Sequence, residues 1–219
     1  MIILDNITKI YHTRQGQRII LDSINLRIAK GERLGILGRN GSGKSTLIRL
    51  ISGAEFPTYG HIHRGMSVSW PLAFGGAFQG SLSGLDNVRF ICRIYGVPIE
   101  PAIRYVEEFS ELGIYLSEPV KKYSSGMRAR LAFGISMSIE FDCFLIDEIV
   151  AVGDNYFQEK SRVELFEKRS DRAMIIVSHN ANFIYEHCQH AAVLVNGKLN
   201  WFNQIQNAFD FYQSQSIIH

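Results

Sequence analysis

The run Gly38-Arg39-Asn40-Gly41-Ser42-Gly43-Lys44-Ser45-Thr46 restricts what this chain can fold into more than any other stretch. It matches G-x-x-x-x-G-K-[ST], a pattern whose glycines let backbone N–H groups wrap closely around an anion. Its surroundings meet the same requirement. Arg33 to Leu37 reads as a short apolar strand, and Lys44 to about Ile51 reads as a helix that stops at Gly53. A helix starting at Lys44 adds the positive end of its dipole to the turn. Lys44 is then placed to bridge the β- and γ-phosphates of a nucleoside triphosphate, and Ser45 to ligate magnesium. The competing reading is a glycine-rich turn with an incidental lysine; the strand before it and the helix after it argue against that.

A second constellation lies downstream. Cys143-Phe144-Leu145-Ile146 is an apolar strand ending in Asp147-Glu148. Buried beside the phosphate-loop strand, it would deliver Asp147 to the magnesium shell. Glu148, one residue on, would orient and deprotonate an attacking water. Taken without the phosphate loop, the same residues read equally well as a solvated strand end with ordinary acids.

The rest of the chain supplies the scaffold. The first 28 residues read as strand material, Ile2–Leu4, Ile7–Tyr11 and Ile19–Ile28, with turns at Asp5-Asn6 and Thr13–Gln17. Gly60–His63 and Met66–Trp70 are two more short strands. From Ser83 the period becomes helical, with stripes Leu85-Val88-Ile91-Cys92-Tyr95 and Ile103-Val106-Phe109-Leu112 separated by Pro98 and Pro101. Further helices are expected at about Gly126–Glu140, Tyr156–Arg169 and Gln204–Tyr212, and strands at Cys143–Ile146, Met174–Val177 and Ala192–Val195. Strands alternating with helices indicate a parallel α/β sheet, here interrupted by a small helical insert.

Composition removes several classes. At 219 residues and 46% hydrophobic, the chain is long and apolar enough for one compact domain and cannot be disordered. Twenty-three basic and twenty-one acidic side chains leave a net charge of +2, too balanced to argue for nucleic acid as a partner. Cys92, Cys143 and Cys188 are scattered, so neither a zinc site nor a disulfide framework is indicated, and a reducing compartment fits. His61 and His63 share a strand face, where surface placement is preferred to metal binding. The longest apolar runs are about five residues against the roughly 18 that span a bilayer. The N-terminus lacks a secretory signal, so the chain is expected in the cytosol.

With these motifs in order, the sequence resembles the nucleotide-binding subunits of ATP-binding cassette (ABC) transporters along nearly its whole length. Tyr123-Ser124-Ser125-Gly126-Met127 stands just before a helix, about where that family carries its signature Leu-Ser-Gly-Gly-Gln. Ser125 takes the place of the usual first glycine, and Met127 that of the glutamine. The added hydroxymethyl group of Ser125 narrows the approach to phosphate. Ser178-His179 follows a strand as the family's switch histidine does, and Gln79 matches its glutamine loop. Ala151-Val152-Gly153-Asp154 matches the loop that crosses the dimer interface, and Tyr11 stands where an aromatic residue stacks on adenine. Core packing is the other reading of Tyr11, and simple exposure that of His179.

The resemblance implies a P-loop NTPase fold of the ABC type: an α/β core with an N-terminal antiparallel β-subdomain and a helical subdomain at about residues 83–140, all in one domain of residues 1–219. It implies that Gly38 to Thr46 and Tyr11 hold ATP. Mg2+ is assigned to Ser45, Gln79 and Asp147, and hydrolysis to Glu148, His179, Gln79 and Lys44. Ser124, Ser125, Gly126 and Met127 would contact the ATP of a second copy, with Asp154 in the dimer loop. Tyr-Ser-Ser-Gly-Met, Ser69-Trp70-Pro71, Gly75-Gly76-Ala77-Phe78-Gln79-Gly80-Ser81-Leu82 and Ala-Val-Gly-Asp resemble the capsular polysaccharide exporters most closely, with O-antigen and teichoic acid exporters next. A homodimer on ATP binding, an integral membrane permease and a peripheral place on the cytoplasmic face of the bacterial inner membrane follow. No carbohydrate-binding domain is expected after the cassette. Trp70, Phe74 and Phe78, among glycines, suit a permease groove, or alternatively cap the core. The rivals are an importer or drug-exporter ATPase, a regulator without turnover, and a soluble cassette acting on DNA or ribosomes. The interval from Lys44 to Ser124 has no room for the long coiled coil common in the last class.

Overall fold

A computed structural model describes residues 1–14, 16–72, 78–147, 154–178 and 180–217. The chain forms two compact units. One is built from Met1–Pro71, Phe141–Glu148 and Asp171–His219, the other from Leu72–Glu140 and Ile149–Ser170.

In the first unit, β1 (Ile2–Thr13) and β2 (Gly16–Ile28) form a long hairpin, β3 (Arg33–Leu37) leads into α1 (Lys44–Ser52), and β4 (Tyr59–Arg64) returns along β1. The order β2-β1-β4 makes a three-stranded antiparallel sheet. The reading of Asp5-Asn6 as a turn is corrected here, because β1 runs straight through it. Asn6 adopts φ 51, and the pairing slips between Leu4 and Ile7. An asparagine tolerates the left-handed region, so the pair makes an irregularity within a strand instead of ending it. Gly60 of β4 makes room, since a Cβ there would lie 2.3 Å from the Asn6 carbonyl oxygen.

The larger sheet joins β5 (Val68–Pro71), β6 (Cys143–Asp147), β7 (Ala173–Val177), β3, β8 (His190–Val195) and β9 (Lys198–Phe202), in that order. Its first five strands are parallel and β9 is antiparallel to β8. β9 goes beyond the strands expected from sequence. It follows the turn Asn196-Gly197, both residues with positive φ, as a tight hairpin requires. The strand carrying Asp147 is not beside the phosphate-loop strand either, for β7 lies between them. The alignment survives because Ile36 and Asp147 are both level with Val177 of β7, so the ends of β3 and β6 reach the same edge of the sheet. Two strand spacings separate them, about 10 Å, a gap that a lysine side chain and a phosphate can bridge.

Leu34, Ile36, Leu47, Leu50, Leu145 and Ile175, among others, pack into one core between α1, this sheet and the antiparallel sheet. On the other face Leu37, Ile184, Val193, Ala208 and Phe209 make a second cluster with α6 (Ala181–His187) and α7 (Ile205–Ile217). In the second unit, α2 (Gly84–Tyr95) packs on α3 (Ile99–Ser110), and α3, α4 (Ser125–Met137) and α5 (Asn155–Arg162) meet at Phe109, whose ring lies 5.6 Å from Phe133 and 5.4 Å from Phe157. α5 continues as a π-helical turn, Val163–Glu167. No described helix is long and apolar enough to cross a membrane.

Candidate nucleotide site

The loop between β3 and α1 sits at the carboxyl edge of the parallel sheet, where open α/β folds bind their ligands. Gly41 and Gly43 hold φ of 80 and 107, a backbone path closed to most other residues. At Gly38 a Cβ would lie 2.6 Å from the Ser42 hydroxyl and 2.8 Å from the Leu194 carbonyl oxygen, so any larger residue would push the loop outward. The result is a cleft of about 300 Å3 lined by Tyr11, Arg18, Ile20, Asn40, Gly41, Gly43, Lys44, Ser45, Thr46, Arg49 and Asp147. The Ser42 hydroxyl is buried with no hydrogen-bond partner among the described residues.

Lys44 Nζ donates to the carbonyl oxygens of Gly38 at 2.6 Å and Arg39 at 3.0 Å, bracing the loop from inside. Burial lowers its pKa, while the Asp147 carboxylate pulls it back up. Asp147 is its counterpart: burial raises its carboxyl, opposed by Lys44 and Arg49. Both shifts run toward neutrality. That is the direction in which partial burial moves a cation and a carboxylate. The donor set, a Ser45 hydroxyl and an Asp147 carboxylate lining the same cleft, suits Mg2+, which takes few protein ligands and several from water and phosphate.

Tyr11 lines the same cleft. Its hydroxyl donates to Glu55 at 2.7 Å and accepts from Arg49 Nη2 at 3.2 Å, and Lys9 lies 5.2 Å from its ring centroid. Burial would raise the Glu55 carboxyl, but hydrogen bonds from Tyr11, Lys9 and Arg49 outweigh it and hold the group low. Arg49 also reaches the Thr46 hydroxyl at 3.1 Å, joining the network to the phosphate loop. Neither Glu55 nor Arg49 stands out in the sequence: their partners are 44 and 38 residues away.

The remaining expected site residues belong to the second unit or fall outside the described residues. Glu148, His179 and the stretch 151–153 are of the latter kind, as is Phe74. Gln79 has an exposed side chain, and its backbone is pinned by Asn87: Gln79 N–H donates to Asn87 Oδ1 at 3.0 Å, and Asn87 Nδ2 donates back to the Gln79 carbonyl oxygen at 3.2 Å. Asn87 is only 1% exposed and belongs to none of the sequence motifs. Its signal was one polar residue within the stripe of α2. Ser124 caps α4, its Oγ accepting from the Met127 N–H at 3.2 Å, with Ser125 exposed beside it. Asp154 caps α5 in the same way. Its Oδ1 accepts from the Phe157 N–H at 2.9 Å and its Oδ2 from Arg130 Nη2 at 2.8 Å. The Phe157 N–H, then Arg130, hold its carboxyl below the usual range despite the opposing effect of desolvation. Trp70 packs edge-on against Phe141 with centroids 5.5 Å apart, in agreement with the core reading of that residue.

A glycine-lined phosphate loop at the carboxyl edge of a parallel sheet, faced by a lysine–aspartate pair, defines a nucleotide-binding cassette. A family model described as ABC transporter matches residues 21–151, and the chain belongs to that family. It is 58% identical to the ATP-binding protein BexA of Haemophilus influenzae over 97% of this chain and 98% of that protein. It is also 58% identical to the capsule polysaccharide export ATP-binding protein CtrD of Neisseria meningitidis serogroup B, over 98% and 99% of the two chains. The polysialic acid transport ATP-binding protein KpsT of Escherichia coli is 41% identical over 97% and 96%. Among solved structures, the dimeric bacterial ABC transporter cassette MJ0796 shares the fold with a TM-score of 0.74 at 21% identity, covering 91% of this chain and 96% of that one.

Proposed function

We propose that this chain is the ATP-hydrolysing subunit that powers export of capsular polysaccharide across the bacterial inner membrane. The observation that carries the reading is the Lys44–Asp147 cleft in a chain 58% identical, nearly end to end, to a capsule polysaccharide export ATP-binding protein. On this reading residues 1–219 form one cassette, with a helical subdomain at about 83–140. Lys44 leaves the Gly38 and Arg39 carbonyls to hold the β- and γ-phosphates, aided by the N–H groups of Gly38 to Thr46. Ser45, Asp147 and Gln79 would hold Mg2+, which would supply charge neutralisation on the phosphates. Glu148 takes the proton of the attacking water, and His179 donates to the γ-phosphate. Two copies close around two ATPs, each presenting Ser124 to Met127 and the Asp154 loop to the other's nucleotide.

The chain would then sit on the cytoplasmic face of the membrane through a separate permease. Phe90 and Ile94, 50% and 59% exposed one turn apart on α2, offer an apolar face for such a partner. Complementation tests the reading. In cells lacking the subunit of their own capsule exporter, the wild-type chain should restore surface polysaccharide and co-purify in detergent with an integral membrane protein. Lys44→Ala should co-purify equally but export nothing. Export by Lys44→Ala, or a wild type that extracts with no membrane partner, would overturn the proposal.

A further inference from the structure

The helical unit contains a charged clasp that the reading above leaves without a role. Glu111 follows α3 at its C-terminal end with φ 56 and ψ 30, a left-handed conformation that a glycine would adopt freely and a glutamate does not. From that position its carboxylate meets two other helices. Oε1 accepts from Lys160 Nζ of α5 at 2.6 Å, and Oε2 lies 3.5 Å from Arg130 Nη1 of α4. Both cations are also held over aromatic rings, Arg130 4.6 Å from the Phe157 centroid and Lys160 4.9 Å from that of Phe109. Lys160 Nζ further donates to the Phe109 carbonyl oxygen at 3.0 Å. Arg130 extends the chain of contacts to Asp154 Oδ2 at 2.8 Å.

Exposed ion pairs taken singly hold little. Here the Arg130 and Lys160 side chains are only 18% and 25% exposed, and each is fixed by a carboxylate, a ring and a second acceptor. What they join is specific. Arg130 is on the helix that Ser124 caps and grips the start of the helix that Asp154 caps, through Asp154 and the Phe157 ring, while Lys160 is on that second helix and ties it to the end of α3.

We propose that Glu111 is a positioning residue that locks α4 and α5 into one body, so that the Ser124 and Asp154 loops meet the partner subunit's nucleotide together. The inference rests on the two-subunit ATP site proposed above. The tie accounts for a glutamate at a left-handed backbone position that glycine adopts more easily.

Glu111→Gly separates the two roles. It relieves the left-handed backbone and should leave Tm unchanged within about 2 °C or raise it. It should also lower kcat for ATP hydrolysis about fivefold, with KM for ATP moving less than about twofold, since Lys44, Ser45 and Asp147 are untouched. Hydrogen exchange of amides 155–158 should quicken several-fold, and Glu111→Gln, which keeps a neutral acceptor for Lys160, should fall between. Full kcat in Glu111→Gly, or unchanged exchange at 155–158, would overturn the clasp. A loss of kcat matched by a falling Tm in both variants would do so as well. A wild type that bound ATP without hydrolysing it would refute the ATPase reading instead, and the exchange measurement would still decide the clasp.

Discussion

Tyr11 lines the cleft while its hydroxyl is held by Glu55 and Arg49, so the side chain is fixed in place before any ligand arrives. That division of labour separates the two readings of the residue. If the ring stacks on adenine, Tyr11→Phe should weaken ATP binding by no more than about twofold, because Arg49 still pairs with Glu55 at 3.1 Å without the hydroxyl. It should cost about 1 kcal/mol of stability, the ordinary worth of a hydrogen bond. Tyr11→Ala should weaken binding about tenfold, or ~1.4 kcal/mol, within the range for a base on an aromatic face. Equilibrium titration with a fluorescent ATP analogue measures both. Equal losses in the two variants would assign the role to the hydroxyl network, and an unaffected Tyr11→Ala would remove the residue from the adenine site.

At the scale of the element, helix starts organise this molecule. α1 opens behind Gly43, α4 behind Ser124 and α5 behind Asp154. Ser124 has two separable duties, since its Oγ accepts from the Met127 N–H while its own proton remains to be donated. Aspartate caps as well as serine but cannot donate and repels phosphate. Ser124→Ala should therefore cost about 1 kcal/mol in chemical denaturation, and Ser124→Asp less than about 0.5 kcal/mol. Hydrolysis should nevertheless fall further in the aspartate variant. If activity instead tracked stability across the pair, Ser124 would be a cap alone. Elements like these were legible where the signal is local. The glycines and Lys44 of the phosphate loop, the apolar run into Asp147 and the stripes of α2 and α3 each declare themselves within a dozen residues. The order of strands does not. That β7 separates β3 from β6 depends on pairings across more than a hundred residues, which no local pattern encodes. β9 is a different kind of miss, because Asn196-Gly197 after Val195 is itself a hairpin signal. Glu55, Arg49 and Asn87 stayed hidden because surface-type residues acquire their roles only once distant elements meet.

On the scale of the whole molecule, the proposed site requires two chains, each lending Lys44 to one nucleotide and Ser124 to the other. This arrangement makes a prediction that no single-chain site can imitate. Lys44→Ala should be inactive because neither cleft can hold its phosphates. Ser124→Arg should be inactive because a guanidinium in the signature loop obstructs the partner's site. In a mixed dimer of the two variants the defects segregate. One site pairs the Lys44→Ala cleft with the Ser124→Arg loop and carries both lesions, while the other pairs an intact cleft with an intact loop and carries neither. Random pairing makes half the dimers mixed, each with one working site of two, so combining two inactive proteins should recover about a quarter of wild-type hydrolysis in a symmetric dimer. Recovery should depend on ATP and protein concentration, because the subunits must associate through the nucleotide. A mixture that stays inactive, while light scattering shows that mixed dimers have formed, would mean that each chain completes its own site or that both sites must fire together. Mixing Lys44→Ala with wild type separates these: chains that complete their own sites keep the wild-type chain's share of hydrolysis in a mixed dimer, whereas obligatorily coupled sites lose it in every mixed dimer.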